Sequence, residues 1–196
     1  MRRIILFGPP LAGKRTAIEE FASNGNLQMN RFGVPADQSD RSKIQRTADG
    51  QIVYATSDNS LALGPLNVGV FVSVERYGYP TVVLTLSGGV WTTALWDYYL
   101  SSADGVGLML DSQDTCIDIN CEYIDKMEAL PAIPRVGCVI WTKQDLTHQR
   151  ALHKQIAQRL QRSRCTDWPV FLSSEVDKPS LVKPIDWLID RKPQPG

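Results

Sequence analysis

The chain has 196 residues, 43% of them hydrophobic and 21% charged, a balance typical of one soluble globular domain with a full-sized core. Lysine plus arginine equals aspartate plus glutamate at 21 each, so the net charge gives no general attraction to nucleic acid or to an anionic membrane. Any phosphate binding must therefore come from a local site, and we predict no nucleic-acid partner.

The apolar run nearest the amino terminus covers residues 4–7, which is shorter than the roughly 7–15 residues of a secretory signal. No other run approaches the roughly 18 residues of a membrane span. We predict a cytoplasmic protein with no integral membrane segment. Cys116, Cys121, Cys138 and Cys165 form no C-x-x-C pair, which favours buried or incidental thiols over a metal site or a disulfide framework.

Short apolar runs and alternating patterns predict strands at residues 4–7, 68–74, 81–86, 105–111, 136–141 and 169–172, the second and third forming a hairpin. Helices are predicted at residues 14–24, 91–100, 115–127, 152–160 and 179–189. Residues 25–60 are predicted to be a long polar loop, interrupted by an apolar group at 51–54. Strands that alternate with helices predict an α/β fold with a mostly parallel sheet, covered on both faces, and one antiparallel hairpin. We expect a single domain over residues 1–190 and a tail over 191–196.

The first strand leads into Gly8-Pro-Pro-Leu-Ala-Gly-Lys14, which has the G-x-x-x-x-G-K spacing of a phosphate-binding loop. Glycines allow the backbone to turn its N–H groups towards an anion, and the following helix adds the positive end of its dipole. Lys14 is then placed to reach the β- and γ-phosphates. By itself, a glycine-rich turn followed by lysine also occurs by chance.

The residue after the lysine departs from this motif. A serine or threonine hydroxyl usually ligates Mg²⁺ there, whereas this chain has Arg15. Thr16 does not simply replace it, because one step along a helix turns the side chain by about 100°. The loop is therefore predicted to hold phosphate, and Mg²⁺ binding is in doubt.

Two further groups follow predicted strands. Thr142-Lys-Gln-Asp145 has the [N/T]-K-x-D pattern that reads guanine, since one carboxylate can accept from both N1–H and the 2-amino group. The alternative is a surface turn that caps the next helix. Ser173-Ser174 follows the last strand, at the position where GTP-binding proteins contact the base through backbone N–H groups. Ligands in such sheets bind beyond the carboxyl ends of the strands, so these groups and Asp111 are expected to converge on the glycine-rich turn.

Together, these motifs resemble those of the bacterial Ras-like GTPases of the MglA type, over residues 1 to about 190. That family's loop reads close to GPGLCGKTT, beside GPPLAGKRT here. Its TVPGQ, ADSQ and NKRDL segments are similar to TLSGG, LDSQ and TKQDL in this chain. The resemblance implies a P-loop NTPase three-layer sandwich of the small-GTPase type that binds GTP or GDP. The implied nucleotide-binding residues are Gly8, Pro9, Pro10, Leu11, Ala12, Gly13, Lys14, Arg15, Thr16, Gly88, Thr142, Lys143, Asp145, Ser173 and Ser174.

The same resemblance places the departures at the catalytic positions. Gly89 stands where the family has the glutamine that orients water, and Asn59 stands where it has a possible internal arginine finger. We therefore assign no catalytic residue. Ser60 keeps a hydroxyl at the position of the switch threonine and is the one candidate metal ligand.

Four functional hypotheses follow. The leading one is a guanine-nucleotide-binding protein that hydrolyses GTP slowly or not at all and acts through partner proteins. The alternatives are a nucleotide-free scaffold, a GTPase completed in trans by a partner, and a phosphate-loop kinase, which leaves residues 142–145 unexplained. The resemblance also implies a dimeric partner of the roadblock type at the switches. The aromatic residues nearest the second switch are core residues or interface anchors; they are Trp91, Trp96, Tyr98 and Tyr99.

Overall fold

The computed structural model of the chain describes residues 1–32, 44–46, 52–55, 61–62, 69–76, 78–86, 96, 99–134, 136–146 and 152–191. Its strands are β1 (Arg2–Phe7), β2 (Met29–Phe32), β3 (Ile44–Arg46), β4 (Ile52–Ala55), β5 (Leu61–Ala62), β6 (Gly69–Arg76), β7 (Tyr79–Leu86), β8 (Gly105–Asp111), β9 (Val136–Thr142) and β10 (Val170–Leu172). The helices among these residues include α1 (Lys14–Asn24), α2 (Ile117–Ala129), α3 (Lys154–Gln161) and α4 (Lys178–Asp190), with a 3₁₀ turn at Asp114–Cys116.

Seven strands form the main sheet in the order β10-β9-β8-β1-β7-β6-β2. The strands from β10 to β7 are parallel to one another, and β6 and β7 form the expected antiparallel hairpin. The prediction of a mostly parallel α/β sheet is confirmed at this level. Parallel strands place their carboxyl ends along one edge, so the segments that follow β1, β8, β9 and β10 are neighbours.

The prediction of a loop over residues 25–60 is wrong for Met29–Phe32 and Ile44–Arg46, whereas Ile52–Ala55 coincides with the apolar interruption at 51–54. Met29–Phe32 forms β2, which pairs antiparallel with β6 and adds a second antiparallel neighbour that the hairpin prediction did not include. Ile44–Arg46 and Ile52–Ala55 belong to a separate three-stranded sheet with β5. Strands β2 and β3 are short and contain no apolar run, so pairing with a neighbour determines their structure.

The core lies on both faces of the sheet, as the alternation along β1 illustrates. Ile4 and Leu6 pack with α1 and α4 on one face, whereas Ile5 and Phe7 pack with α2 and α3 on the other. All four side chains are fully buried. A strand buried on both faces has a continuous apolar sequence, which is why β1 was recognisable as residues 4–7.

The other predicted elements agree with the structure to within a few residues at each end. The predicted helix over 91–100 lies mostly outside the described residues, although Trp96 and residues 99–101 are helical. Within the described part of the chain, no helix has both the length and the apolar character needed to cross a membrane.

Candidate functional site

The glycine-rich turn joins the end of β1 to the start of α1. A Cβ on Gly8 would lie 2.0 Å from the carbonyl oxygen of Met109, so only glycine allows the turn to pass this close to β8. Gly13 precedes the helix with a φ of 79°, a left-handed conformation that glycine adopts without strain. Leu11 also has a positive φ, 62°, and its side chain is 85% exposed. The turn is therefore closely wrapped, with a leucine held outward.

Lys14 lies inside this turn. Its Nζ donates hydrogen bonds to the carbonyl oxygens of Gly8 at 2.8 Å and Pro9 at 2.5 Å, and the residue is only 6% exposed. Burial lowers the pKa of Lys14 from 10.5 to about 8, because the ammonium group is removed from water without a carboxylate partner. An anion beside Nζ would stabilise the charged form and raise that pKa again.

Arg15 and Thr16 follow on the first turn of α1. Arg15 Nε pairs with Glu19 Oε1 at 2.7 Å, one helical turn along, and both side chains are largely exposed. Arg15 thus neither reaches into the turn nor offers an oxygen to a metal ion. The remaining members of the turn are Pro9 and Ala12, which are buried, and Pro10, which is exposed.

The ends of β8 and β9 are joined by a buried ion pair. Lys143 Nζ lies 2.6 Å from Asp111 Oδ2, and the Asp111 side chain is 3% exposed. Lys143 also donates to Gln113 Oε1 at 3.4 Å, and it has a positive φ of 58°. The lysine of the T-K-x-D segment therefore links the two loops.

Two residues assigned to nucleotide binding have internal partners. The hydroxyl of Thr142 donates to the carbonyl oxygen of Leu110 at 3.0 Å, and Thr142 is buried. The hydroxyl of Ser173 donates to the carbonyl oxygen of Ser180 at 2.7 Å, and Ser173 is also buried. Both side chains hold loops in place.

Asp145 and Ser174 are in direct contact. Ser174 Oγ donates a 2.8 Å hydrogen bond to Asp145 Oδ1. The same loops are joined by their backbones, since the N–H of Gln144 donates to the carbonyl of Ser173 at 3.2 Å. The carboxylate of Asp145 is thus oriented from the loop after β10 while its residue remains exposed.

Glu175 connects the Asp145–Ser174 pair to the glycine-rich turn. Its Oε1 lies 3.9 Å from the position that a Cβ on Gly13 would take. Since Glu175 follows Ser174, the loop after β10 contacts both the turn and Asp145. The turn, Asp111, Lys143, Asp145 and the Ser173–Ser174 loop therefore meet at one edge of the sheet.

Sequence reasoning missed Glu175 and Gln113 as members of this site. Gln113 lies two residues and Glu175 three residues beyond the end of a predicted strand, and that position was the available signal. Gly88, Gly89, Asn59 and Ser60 lie outside the described residues, as do Trp91 and Tyr98. Among the described aromatics, Trp96 is buried and packs edge-on against Phe7 with ring centroids 4.5 Å apart, so it is a core residue.

The described groups combine features suited to an anion with a nearby carboxylate acceptor. The first N–H groups of α1 have no acceptors within their own helix, and the helix dipole adds positive potential there. Asp145 offers acceptors to N–H donors of a ligand. No group of three or more histidine, cysteine, aspartate or glutamate residues suited to a metal ion occurs among the described residues.

A scan against protein-family models and a search of curated proteins found no match to this chain.

Proposed function

We propose that this chain is a Ras-like guanine-nucleotide-binding protein of the P-loop class, with weak or absent intrinsic GTP hydrolysis. The observation that carries the proposal is the contact series from Gly13 through Glu175 and Ser174 to Asp145, which brings a backbone anion site and a carboxylate to one sheet edge. Phosphate and purine base are the two parts of a nucleotide that such a pair would recognise.

The turn supports the phosphate half of this proposal. Lys14 is buried and held by the carbonyls of Gly8 and Pro9, so its ammonium group is available for exchange from carbonyl oxygens to phosphate oxygens. The N–H groups at the start of α1 face the same turn. Because the chain has no net charge, a polyphosphate would have to be bound by local groups. Neutral backbone N–H donors and one buried lysine are suited to that.

The loop after β9 supports the guanine half. A carboxylate pairs with the adjacent N1–H and 2-amino groups of guanine, whereas adenine presents no donor at N1. The Ser174 hydrogen bond fixes the orientation of Asp145, and a fixed acceptor discriminates better than a mobile one because the entropy of ordering is already lost.

The substituted residues support slow hydrolysis. An arginine finger alone accelerates phosphoryl transfer by about 10³–10⁵, and water-orienting glutamine and Mg²⁺ contribute further. Arg15 is paired with Glu19 and supplies no metal ligand. Gly89 stands at the position of the water-orienting glutamine, and Asn59 at that of the possible arginine finger. We therefore propose a cytoplasmic switch or scaffold that acts through protein partners, among them a dimer of the roadblock type.

Titration of the purified protein with GDP, GTP and ATP, with and without Mg²⁺, tests the proposal. We expect guanine nucleotides to bind and ATP to bind at least 100-fold more weakly, which corresponds to about 2.7 kcal/mol. Equal affinity for ATP, or hydrolysis at an activator-stimulated rate without a partner, would contradict it.

A nucleotide-free scaffold is the second candidate. This candidate is favoured because the buried ammonium group of Lys14 already donates to two carbonyl oxygens of the turn, which closes the turn around it. Denaturing freshly purified protein and analysing the supernatant by anion-exchange chromatography separates the two. Stoichiometric GDP or GTP supports the first candidate. Absence of nucleotide, together with no binding in the titration, supports the second.

A further inference from the structure

A carboxylate stands at the entrance of the glycine-rich turn. Glu175 Oε1 lies 3.9 Å from the position that a Cβ on Gly13 would take, and Gly13 is the residue immediately before α1. The N–H groups that would receive a phosphate belong to the first residues of α1, which follow Gly13 directly. Glu175, an exposed residue, therefore places a negative charge beside the start of this helix.

The backbone that carries Glu175 is held on both sides. The N–H of Ser174 donates to Ser180 Oγ at 2.9 Å, and the N–H of Val176 donates to Ser174 Oγ at 3.1 Å. Ser174 is in turn bonded to Asp145. The loop therefore cannot carry Glu175 away from the turn without breaking these bonds, and only rotation of the side chain relieves the approach.

No cation neutralises this carboxylate within the described part of the chain. Lys14 donates to the carbonyls of Gly8 and Pro9 and forms no ion pair with Glu175. The nearest arginine in sequence to the turn, Arg15, is paired with Glu19. A phosphate bound at the turn would face an uncompensated charge, which repels it over distances below the Debye length of about 10 Å at 0.1 M salt.

We propose that Glu175 opposes phosphate binding at the glycine-rich turn and thereby sets a low affinity for polyphosphate ligands. This inference rests on the proposed nucleotide site. It assigns Glu175 a role as a determinant of affinity and selectivity, acting on the phosphate and not on the base.

The test compares the wild-type protein with Glu175→Gln, which keeps the size of the side chain and removes its charge. Glu122→Gln is the matched control, because Glu122 is an exposed glutamate on α2 and the change in net charge is the same. GDP, inorganic pyrophosphate and guanosine are the probes, titrated by calorimetry or NMR at 50 mM and 300 mM salt. Circular dichroism melting establishes that all three proteins are folded.

We expect Glu175→Gln to bind GDP and pyrophosphate about 3- to 30-fold more tightly at low salt, with a smaller gain at high salt and no change for guanosine. Glu122→Gln should behave as wild type. If wild type binds GDP and Glu175→Gln binds it equally or more weakly, the inference is overturned and the proposed function stands. A gain for guanosine as large as that for GDP also overturns it.

The two remaining outcomes concern a wild-type protein that binds no GDP. If Glu175→Gln then binds GDP, the inference is supported and the proposed function of the native chain is contradicted. If neither protein binds GDP or pyrophosphate, both the inference and the proposed function are overturned.

Discussion

The hydroxyl of Ser174 donates a 2.8 Å hydrogen bond to Oδ1 of Asp145, although 29 positions separate the two residues in the chain. Each follows a strand, and β9 and β10 are parallel neighbours, so the sheet brings the two loops together. The bond fixes one oxygen of the carboxylate, while Oδ2 takes no part in it. The loop after β10 therefore orients the acceptor that we assign to the guanine base.

Replacing Ser174 with alanine removes this orientation. We expect GDP to bind about 10- to 150-fold more weakly to Ser174→Ala, since a hydrogen bond to a charged group contributes about 1.5–3 kcal/mol. Ser102→Ala is the control, because Ser102 is an exposed serine that bonds Arg3 near the amino ends of the strands. Calorimetric titration measures both. Unchanged GDP affinity in Ser174→Ala would show that the bond does not serve recognition.

The buried Lys14 makes stability depend on pH. Its pKa is about 8 in the folded protein against 10.5 in an ordinary environment, so between these values the unfolded chain binds more protons. The contribution of Lys14 to the free energy of unfolding therefore rises with pH through this window, by about 3 kcal/mol at most. Cysteine and tyrosine side chains ordinarily titrate in the same pH range. The difference in unfolding free energy between the wild type and Lys14→Met therefore isolates the contribution of Lys14. Urea unfolding from pH 7 to pH 10.5 measures it.

The same group makes ligand affinity fall at high pH. Phosphate favours the charged lysine, so we expect GDP affinity to decrease above about pH 8 as the free protein loses that proton. Lys14→Met should bind GDP weakly and with a smaller pH dependence than the wild type over this range, the remainder coming from loss of the guanine N1 proton. A flat affinity profile in the wild-type protein would contradict the assignment of Lys14 to phosphate.

Arginine at position 15 removes the hydroxyl that would ligate Mg²⁺. We expect Mg²⁺ to change GDP affinity less than threefold in the wild-type protein, because the guanidinium group pairs with Glu19 and metal ions of this type require oxygen ligands. Arg15→Thr should restore a tenfold or larger gain with Mg²⁺. Arg15→Ala separates the hydroxyl from mere removal of charge. A strong Mg²⁺ effect in wild type would indicate another ligand.

Gly8 is required for the turn to approach β8. Gly8→Ala places a Cβ 2.0 Å from the Met109 carbonyl, so backbone must move, and we expect a loss of about 2–4 kcal/mol of stability. Gly78→Ala is the matched variant: its φ is 74°, but among the described residues, chain neighbours apart, no atom lies within 4 Å of the new Cβ. Gly78→Ala should lose only about 1 kcal/mol of stability, because alanine is strained in the left-handed conformation. Equal losses by denaturant unfolding would contradict the close approach at Gly8.

The central strands were predictable because burial on both faces demands continuous apolar sequence, and β8 has the bounds expected from residues 105–111. Strand β2 was not predictable, since Met29–Phe32 forms neither an apolar run nor an alternating pattern and gains its structure from pairing with β6. The left-handed conformations of Leu11 and Lys143 also have no local signal, because neither residue is glycine or asparagine.

The site was predictable in part. Spacing identified the turn and the T-K-x-D segment, and the rule that loops converge at the carboxyl edge placed them together. The partners of individual side chains were not predictable. The approach of Glu175 to Gly13, for example, depends on how the last loop is held.

The central claim is that Asp145 reads the base of a nucleotide whose phosphates lie in the Gly8–Lys14 turn. Asp145→Asn tests it, because an amide offers one acceptor for N1–H and one donor for the 2-oxo group of xanthine. Wild type and variant are titrated with GDP and with xanthosine diphosphate. We expect the preference to reverse, from GDP in wild type to the xanthine nucleotide in Asp145→Asn, by at least tenfold each way. Unchanged preference in a folded variant that still binds nucleotide would contradict the account.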